Sequence, residues 1–211
     1  ASERRPVTLA TTTRLQVMQE ISAGIRACTA CNLHKTRTQA VPGVGDPHAR
    51  VVIVGEAPGE NEDIQGEPFV GRSGALLNTW IAAAGLTRAQ VYILNSVQCR
   101  PPGNRDPHPS EGAACEKWLT AQLQLVQPDL IIALGKPAGN TLTSLRAFDR
   151  AAAKLRAGNP WKCAVDGILA PVVCIYHPSY VLRSGGAESP AGIVTRDDFV
   201  GAVKKYCQAL S

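Results

Sequence analysis

Residues 51–59 read Val-Val-Ile-Val-Gly-Glu-Ala-Pro-Gly, an apolar run that ends in a turn containing glycine, proline and a carboxylate. A short run that is almost wholly apolar and rich in Val and Ile is typical of a strand buried on both faces of a parallel sheet. Three later runs have the same character, at residues 91–94, 130–134 and 172–176. The sequence therefore predicts a central, largely parallel sheet of four strands.

The segments around these strands have the spacing of amphipathic helices. In the first two helices the apolar positions are Leu15, Met18, Ile21 and Ile25, and then Leu76, Leu77, Trp80 and Ile81. Three more helices are predicted over residues 110–126, 136–146 and 197–210. Strands that alternate with helices indicate an α/β fold with helices on both faces of the sheet. We expect a single domain over residues 1–211, with residues 1–13 as a flexible tail.

The amino-acid composition is typical of a folded protein with a small net positive charge. Hydrophobic residues make up 45% of the 211 residues, and 22 Lys and Arg against 17 Asp and Glu give a net charge of +5. Such a charge is compatible with a polyanionic partner. The apolar runs are too short for a transmembrane helix, and residues 1–13 lack the apolar run of a signal peptide. We therefore expect a cytoplasmic protein, nucleoid-associated in a prokaryote, that has no membrane association.

Seven unevenly spaced cysteines argue against a disulfide-stapled secreted module. Cys28 and Cys31 form a C-x2-C pair, and Cys99 and Cys115 follow with a loop between them that could return two more thiolates. An all-sulfur set favours zinc or an iron–sulfur cluster over hard cations, and the wide spacing of the second pair slightly favours [4Fe–4S]. The alternatives are small buried hydrophobic residues or a redox pair. The remaining cysteines have no such pattern: Cys163, Cys174 and Cys207.

The carboxyl ends of the predicted strands are where a ligand would bind in such a sheet. Glu56 follows the first strand in a turn that matches neither G-x-G-x-x-G nor a P-loop, which excludes the usual dinucleotide and nucleoside triphosphate sites. Phe69 lies in polar, glycine-rich surroundings, where it could stack on a base, although core packing is the commoner fate of a Phe. Ser73 opens the next helix, whose first backbone N–H groups could hold a phosphate.

The second and fourth strands also end in polar side chains. Asn95 carries an amide that can donate and accept hydrogen bonds together, which suits the edge of a base; the alternative is a turn-forming Asn. His177 begins the string His-Pro-Ser-Tyr and could be functional or simply a hydrogen-bonded structural residue. Arg183 and the loop at residues 100–105 supply cations that could equally be solvated surface.

Taken together, these motifs resemble those of the iron–sulfur uracil-DNA glycosylases, family 4 of the uracil-DNA glycosylase superfamily. The matching strings begin at Cys28 and end at Arg183, in the family's order: C-x2-C-x-L-x3-R-T from Cys28, G-E-A-P-G-x2-E-D-x2-G-x-P-F-V-G from Gly55, N-x3-C-R-P-P-G-N-R-D-P from Asn95 with Cys115 beyond it, and H-P-S-Y-x-L-R from His177. Four strings in order are a specific signal.

The resemblance implies a three-layer α/β/α sandwich that hydrolyses the bond between uracil and deoxyribose in single- or double-stranded DNA, as a monomer. It implies a [4Fe–4S] cluster held by Cys28, Cys31, Cys99 and Cys115. It also implies that Phe69 stacks on the flipped uracil, that Asn95 reads its N3 and O4 edge, and that His177 faces O2. The remaining implied roles are water placement and exclusion of the thymine methyl for Glu56 and Glu62, and entry into the duplex for Leu182 and Arg183.

Chemical reasoning agrees with these implied roles. A stacked base is inaccessible and must be flipped, and backbone amides around Ser73 and Ser179 could hold the phosphates beside it. A neutral His177 could stabilise the charge that develops on O2 as uracil leaves, while acidic groups suit the cationic sugar. The cluster is then expected to be structural, because hydrolysis requires no electron.

Two positions depart from relatives of the family. Ala57 stands in the uracil-binding turn where some relatives outside family 4 have a catalytic Asp or Asn, so we assign water orientation to Glu56. His108 lies where a related subgroup captures the sugar covalently with a histidine, but this chain lacks the basic insert of that subgroup, which favours an ordinary loop histidine.

Two further functions are compatible with parts of the pattern. One is a DNA-binding or damage-sensing protein that keeps the fold without turnover, which the presence of Glu56, Asn95 and His177 together disfavours. The other is an iron–sulfur redox module, for which activity would follow the oxidation state of the cluster.

Overall fold

The computed structural model describes residues 13–144, 161–165 and 168–207. Within these residues the helices are α1 (Arg14–Ala27), α2 (Glu60–Gln65), α3 (Arg72–Ala83), α4 (Pro109–Val126), α5 (Lys136–Ser144), α6 (Pro178–Arg183) and α7 (Pro190–Cys207), and the strands are β1 (Val44–Gly45), β2 (Val51–Gly55), β3 (Tyr92–Asn95), β4 (Leu130–Leu134), β5 (Trp161–Val165) and β6 (Ile168–Ile175). Short 3₁₀ turns occur at Asn32–Lys35, Arg88–Gln90 and Pro102–Asn104.

The six strands form one sheet in the order β1-β3-β2-β4-β6-β5. Its four central strands, β3, β2, β4 and β6, are mutually parallel and are the four that the sequence predicts. The predicted strand count is too low, because an antiparallel strand covers each edge: β1 pairs with β3, and β5 pairs with β6. Strand β1 has only two residues, too few for a recognisable pattern.

The chain reverses its direction across the sheet at β2. From β2 it passes to β3 on one side, and then returns to β4 on the other side, so that β2 lies between them. In open α/β sheets a ligand binds outside the carboxyl ends of the strands at such a switch point. The last pair of the β2–β3 ladder joins Gly55 to Asn95, which places the two residues side by side at that edge.

The two faces of the sheet are covered by different helices. Val52 and Val54 of β2 point into a core shared with α1, α4 and α5. Val51 and Ile53 point to the opposite face, where they pack with α3, α6 and α7. All five residues of β2 and of β4 are buried, which accounts for their continuous apolar sequence. The expected three-layer α/β/α arrangement is confirmed.

The helix predictions are confirmed in place, with some differences in length. Helix α1 begins with a capping box, in which Thr13 and Gln16 bond to each other's backbone N–H groups. Helix α7 begins at Pro190, seven residues before the predicted start at residue 197, and α2 and α6 were not predicted. Residues 145–146 and 208–210 of the predicted fourth and last helices, and residues 1–12 of the predicted tail, lie outside the described residues.

None of the helices in the described part of the chain is long and apolar enough to cross a membrane.

Candidate active site

A cavity of about 730 Å³ opens at the carboxyl ends of the parallel strands. The segments that follow all four strands contribute to its wall, as the switch-point argument predicts. Nine residues singled out in the sequence line it: Glu56, Ala57, Glu62, Phe69, Ser73, Asn95, His177, Ser179 and Arg183. The strand-end reasoning therefore brings these residues together in one place.

Phe69 and Asn95 form the floor of this cavity next to Gly55. Asn95 is 2% exposed and Phe69 is 6% exposed, yet both reach the cavity. A Cβ atom at Gly55 would collide with Oδ1 of Asn95 and with the ring of Phe69, so glycine at the end of β2 makes room for both side chains. Phe69 itself has φ = 56°, a left-handed conformation that is unusual for a bulky residue.

Glu62 fixes the turn that carries Phe69. Its Oε1 accepts hydrogen bonds from the N–H groups of Val70 (3.1 Å) and Gly71 (3.2 Å). Its Oε2 accepts one from the N–H of Gly59 (3.1 Å). One carboxylate thus joins the turn after β2 to the turn before α3. The sequence could not show this function, because the three N–H groups lie up to nine residues away from Glu62.

His177 caps helix α6 and presents its ring to the cavity. Its Nδ1 accepts a hydrogen bond from the backbone N–H of Ser179 (3.1 Å), and the Ser179 Oγ lies 2.8 Å from the same nitrogen. Because Nδ1 is an acceptor, the proton of the neutral ring lies on Nε2. Burial, together with the charge of Arg183, lowers the pKa of His177 to about 4. The ring centroids of His177 and Phe69 are 5.8 Å apart.

Glu56 lies half-buried directly after β2. Burial, and then the negative charge of Asp106, raise the pKa of its carboxyl group. Asp106 also lines the cavity, as does Lys136 after β4. Sequence reasoning missed these two residues, although each follows a strand or a motif that had been noted. The site therefore contains two interacting carboxylates, Glu56 and Asp106, together with the cations Lys136 and Arg183.

Leu182 and Arg183, which the resemblance implies enter the duplex, lie in helix α6. Leu182 is partly buried against the core between β6 and α7. Arg183 is exposed and lines the cavity. Tyr176 and Tyr180 line the same part of the cavity and are largely exposed, and sequence reasoning had not singled them out.

The four clustered cysteines lie away from this cavity, around a small pocket of their own. Cys28 and Cys31 follow α1, Cys99 follows β3, and Cys115 is in α4. The guanidinium of Arg37 donates to Sγ of Cys99 (2.9 Å). The N–H of Gln98 donates to Sγ of Cys115 (3.2 Å). The sulfur atoms of Cys99 and Cys115 thus accept hydrogen bonds from neighbouring donors.

The ionisation of these thiols follows their surroundings. Burial raises the pKa of Cys99 despite the nearby Arg37, and raises that of Cys115 to about 12. Burial also opposes ionisation of Cys28, but a hydrogen bond from the backbone of Ala30 and other donors outweigh it and lower its pKa. The thiols of Cys99 and Cys115 are therefore protonated near neutral pH, and a metal that binds them would have to displace their protons.

The surroundings of the four cysteines bear on whether they could hold a metal. Among the described residues, no group of three or more His, Cys, Asp or Glu side chains is arranged to hold a metal ion. However, the buried indole N–H of Trp118 borders the cysteine pocket and is one of the donors that lower the pKa of Cys28. Donors that surround four sulfur atoms stabilise thiolates, and an all-thiolate donor set fits an iron–sulfur cluster.

The remaining sequence candidates lie elsewhere. Cys174 is in β6, with Sγ donating to the carbonyl oxygen of Gly135 (3.4 Å), and Cys207 is buried at the end of α7. The Cys163 side chain lies outside the described residues. His108 caps helix α4, where its N–H donates to Oε2 of Glu111 (2.7 Å), and it borders a groove next to Cys31 and not the cavity.

Comparison with known proteins agrees with this geometry. Residues 42–197 match the family model described as the uracil DNA glycosylase superfamily. A type-4 uracil-DNA glycosylase of Archaeoglobus fulgidus is 42% identical over 168 residues, 80% of this chain and 84% of the relative. One from Thermotoga maritima is 44% identical (83% and 88% covered), and one from Saccharolobus solfataricus is 38% identical (90% and 85% covered). The chain therefore belongs to the type-4 family of the uracil-DNA glycosylase superfamily.

Proposed function

We propose that this protein is a DNA-repair glycosylase that hydrolyses the N-glycosidic bond of uracil in DNA, releasing free uracil and leaving an abasic site. The observation that carries this proposal is the convergence of Phe69, Asn95, His177 and Glu56 in one cavity. An aromatic ring, a base-reading amide and a neutral imidazole are what a pocket for an extruded pyrimidine requires.

Recognition of the base would fall to Asn95 and Phe69. The Asn95 side-chain amide makes no hydrogen bond to any described residue, so both its oxygen and its nitrogen are available to a ligand. In uracil, N3–H can donate to Oδ1, and O4 can accept from Nδ2. The Phe69 ring would stack on the base, in a position that Glu62 fixes through the backbone of Val70 and Gly71.

Departure of the base would be assisted by His177. As the bond between C1′ and N1 breaks, its electron pair moves to uracil, and much of the charge develops on O2. The Nε2–H of a neutral imidazole can donate to that oxygen. A water molecule then forms the new bond to C1′, and the proton that it loses passes through solvent to the uracil anion, which is released as neutral uracil.

Glu56 would orient that water and stabilise the positive charge on the sugar. Its carboxylate lies at the end of β2, and its neighbour Ala57 has no group that could do so. We assign Glu62 a positioning role, because its two oxygens already accept three backbone hydrogen bonds.

Contacts to the DNA backbone would come from Ser73 and Arg183. Leu182 would enter the duplex if α6 shifts on binding. Ser73 lies in the first turn of α3, where backbone N–H groups are free to bind a phosphate. The N–H of Ser179 is already bonded to His177, so we assign Ser179 to the orientation of that ring. All these groups come from one chain, and we propose that the protein acts as a monomer.

We also propose a [4Fe–4S] cluster held by Cys28, Cys31, Cys99 and Cys115. When bound, the cluster would supply a covalent cross-link between the end of α1, the segment after β3, and α4. The hydrogen bonds that Arg37 and Gln98 donate to Cys99 and Cys115, and the donors that lower the pKa of Cys28, support this proposal. The role is structural, because hydrolysis transfers no electron.

The decisive experiment is to incubate the purified protein with single- and double-stranded oligonucleotides that contain one uracil, and to look for alkali-labile sites. We expect cleavage by the wild type and its loss in His177→Ala and Asn95→Ala while the visible absorbance of the cluster is retained. Uracil-dependent binding without cleavage by the wild type would contradict the enzyme proposal and favour a damage-sensing protein.

A further inference from the structure

Two tyrosine rings stand together at the mouth of the cavity. Tyr176 is 50% exposed and Tyr180 is 45% exposed, and their ring centroids are 4.9 Å apart with 35° between the ring planes. Tyr176 directly precedes His177, and Tyr180 lies in the first turn of α6. The tyrosine pair is therefore a chain neighbour of the Phe69–His177 pair, and all four rings border the same cavity.

Two neighbouring aromatic rings at the rim of a ligand cavity point to a ligand that covers them. The other large apolar side chains that are exposed in the described residues are aliphatic: Leu15, Ile64, Ile193 and Val194. Leu182, in the same short helix, is partly buried in the core and cannot offer this surface without moving. The tyrosines thus form the accessible aromatic surface beside the cavity.

The charges around the pair show which part of a DNA strand would meet it. Arg183 and Lys136 line the cavity with the two rings and would attract phosphates. The carboxylates of Glu56, Glu62 and Asp106 also line it and would repel them. Tyr176 and Tyr180 are exposed at the border of the cavity, and Arg183 lies in the same short helix as Tyr180. A strand whose flipped uridine enters the cavity can therefore leave it past these two rings, with its next base unstacked on one side.

We infer that Tyr176 and Tyr180 form a stacking platform for the base adjacent to the target uracil, and that this platform serves chiefly single-stranded DNA. The inference rests on the proposed function, because it takes the flipped uridine as the occupant of the cavity. In a duplex the neighbouring base keeps its partner and its other stacking contact. In a single strand it has neither constraint, and an aromatic side chain can replace the stacking that it lost.

The test is a double-mutant cycle between protein and DNA. The DNA is an oligonucleotide that contains one 2′-fluoro-2′-deoxyuridine, a uridine analogue that resists cleavage. In some oligonucleotides the nucleotide on the 5′ or on the 3′ side of this analogue is replaced by a tetrahydrofuran spacer, which has no base. Kd is measured by fluorescence anisotropy for the wild type, Tyr176→Ala and Tyr180→Ala. We expect each change alone to weaken single-strand binding by roughly 5- to 100-fold, and the two together to cost little more than one.

Three controls accompany the cycle. Tyr176→Phe and Tyr180→Phe keep the rings and should bind like the wild type, whereas Ile193→Ala removes an exposed apolar side chain from α7 and should have no effect. Thermal unfolding of each variant separates lost binding from lost folding. The expected loss for the Tyr→Ala variants on a matched duplex is several-fold smaller than on the single strand.

The inference would be overturned if the losses of binding free energy from the Tyr→Ala change and from removal of the neighbouring base were additive for the 5′ and the 3′ neighbour alike. Equal losses of affinity for the duplex and the single strand would overturn it as well. These outcomes differ from failure of the proposed function. If the wild type fails to cleave a normal uracil oligonucleotide, the enzyme proposal falls, while the binding cycle still decides whether the tyrosines stack on the neighbouring base.

Discussion

Two contacts from Ser179 determine which nitrogen of the His177 ring carries the proton. Ser179 occupies Nδ1 through its N–H and its hydroxyl, and this leaves Nε2 as the nitrogen that carries the proton. Burial and the charge of Arg183 lower the pKa of the ring to about 4. The ring is therefore a neutral donor at physiological pH, and in the proposed reaction it would stabilise the uracil anion without first having to lose or gain a proton.

We predict that the rate of uracil release has no inflection from His177 between about pH 6 and about pH 8, where a free histidine titrates. Because the folded pKa lies below the ordinary value, the neutral ring persists as the pH falls, and activity is lost only as the pH approaches about 4. Protonation of Glu56, whose pKa is raised, contributes to the same acid limb. Single-turnover rates across this pH range provide the measurement.

The matched variants for this prediction are His177→Ala and Ser179→Ala. Loss of a single donor to a developing anion costs roughly 10²- to 10³-fold in kcat, and we expect that loss for His177→Ala. Ser179→Ala keeps the backbone N–H at Nδ1 and should lose less than about tenfold. An inflection near pH 6.5 that disappears in His177→Ala would show that the imidazolium is the working form.

How far the site could be predicted depends on the kind of signal each residue leaves. Asn95 and His177 directly follow apolar strands, so their meeting at one edge follows from parallel pairing alone. The function of Glu62 depends on three N–H groups brought together by two turns, and no spacing in the sequence reveals such a set. Tyr176 and Tyr180 were missed because exposure is a property of the folded chain.

At the scale of elements, the turns around the short helix α2 control the shape of the base pocket. Helix α2 has six residues, and its C-terminal Gly66 is left-handed with φ = 75°. The chain then turns through Phe69, also left-handed, before α3 begins. A Cβ atom at Gly74 would collide with the backbone carbonyl of Phe69, so this turn packs directly on the first turn of α3.

We predict that Glu62→Ala loosens this turn. Three backbone N–H groups would lose their acceptor, which should lower the free energy of unfolding by about 1–3 kcal/mol. Because Phe69 would no longer be held under the base, KM for uracil-containing DNA should rise roughly tenfold, and more than kcat falls. The measurements are urea denaturation and steady-state kinetics.

Glu60 provides the control, since it is on the same helix and its carboxylate forms only an exposed ion pair with Arg100 (3.5 Å). We expect Glu60→Gln to leave both quantities nearly unchanged. Equal effects of the two substitutions would mean that the carboxylate of Glu62 acts only through the charge of α2.

The elements that sequence reasoning missed are those that tertiary contacts determine. Helices α2 and α6 are too short to show helical periodicity, and β1 and β5 are edge strands whose pairing depends on β3 and β6. The start of α7 was predicted too late, because Gly192 and Thr195 are poor helix formers. In the structure, Gly192 lies so close to the backbone of Ala187 that a Cβ would collide with it, and packing outweighs propensity there.

Across the whole molecule, the cysteine pocket is connected to the active cavity through one loop. The segment after Cys99 lines the cavity with Pro101 and Asn104–Pro107, and it returns to α4, which carries Cys115. Arg105 forms a bidentate ion pair with Glu111 of α4 (2.8 and 2.9 Å). A cluster that joins Cys99 to Cys115 would therefore fix both ends of the segment that forms one wall of the proposed uracil site.

We predict that Cys99→Ser removes the visible absorbance of the cluster, lowers Tm by on the order of 10 °C, and reduces uracil release as a consequence of the loosened loop. Cys207→Ala, at the far end of α7, should keep the absorbance and the activity. Arg37→Met removes the hydrogen bond to Sγ of Cys99 and should keep the cluster but speed its loss under mild oxidation. If Cys99→Ser loses the absorbance while its uracil release and Tm stay at wild-type values, the loop is held without the cluster, and the structural role proposed for the four cysteines is wrong.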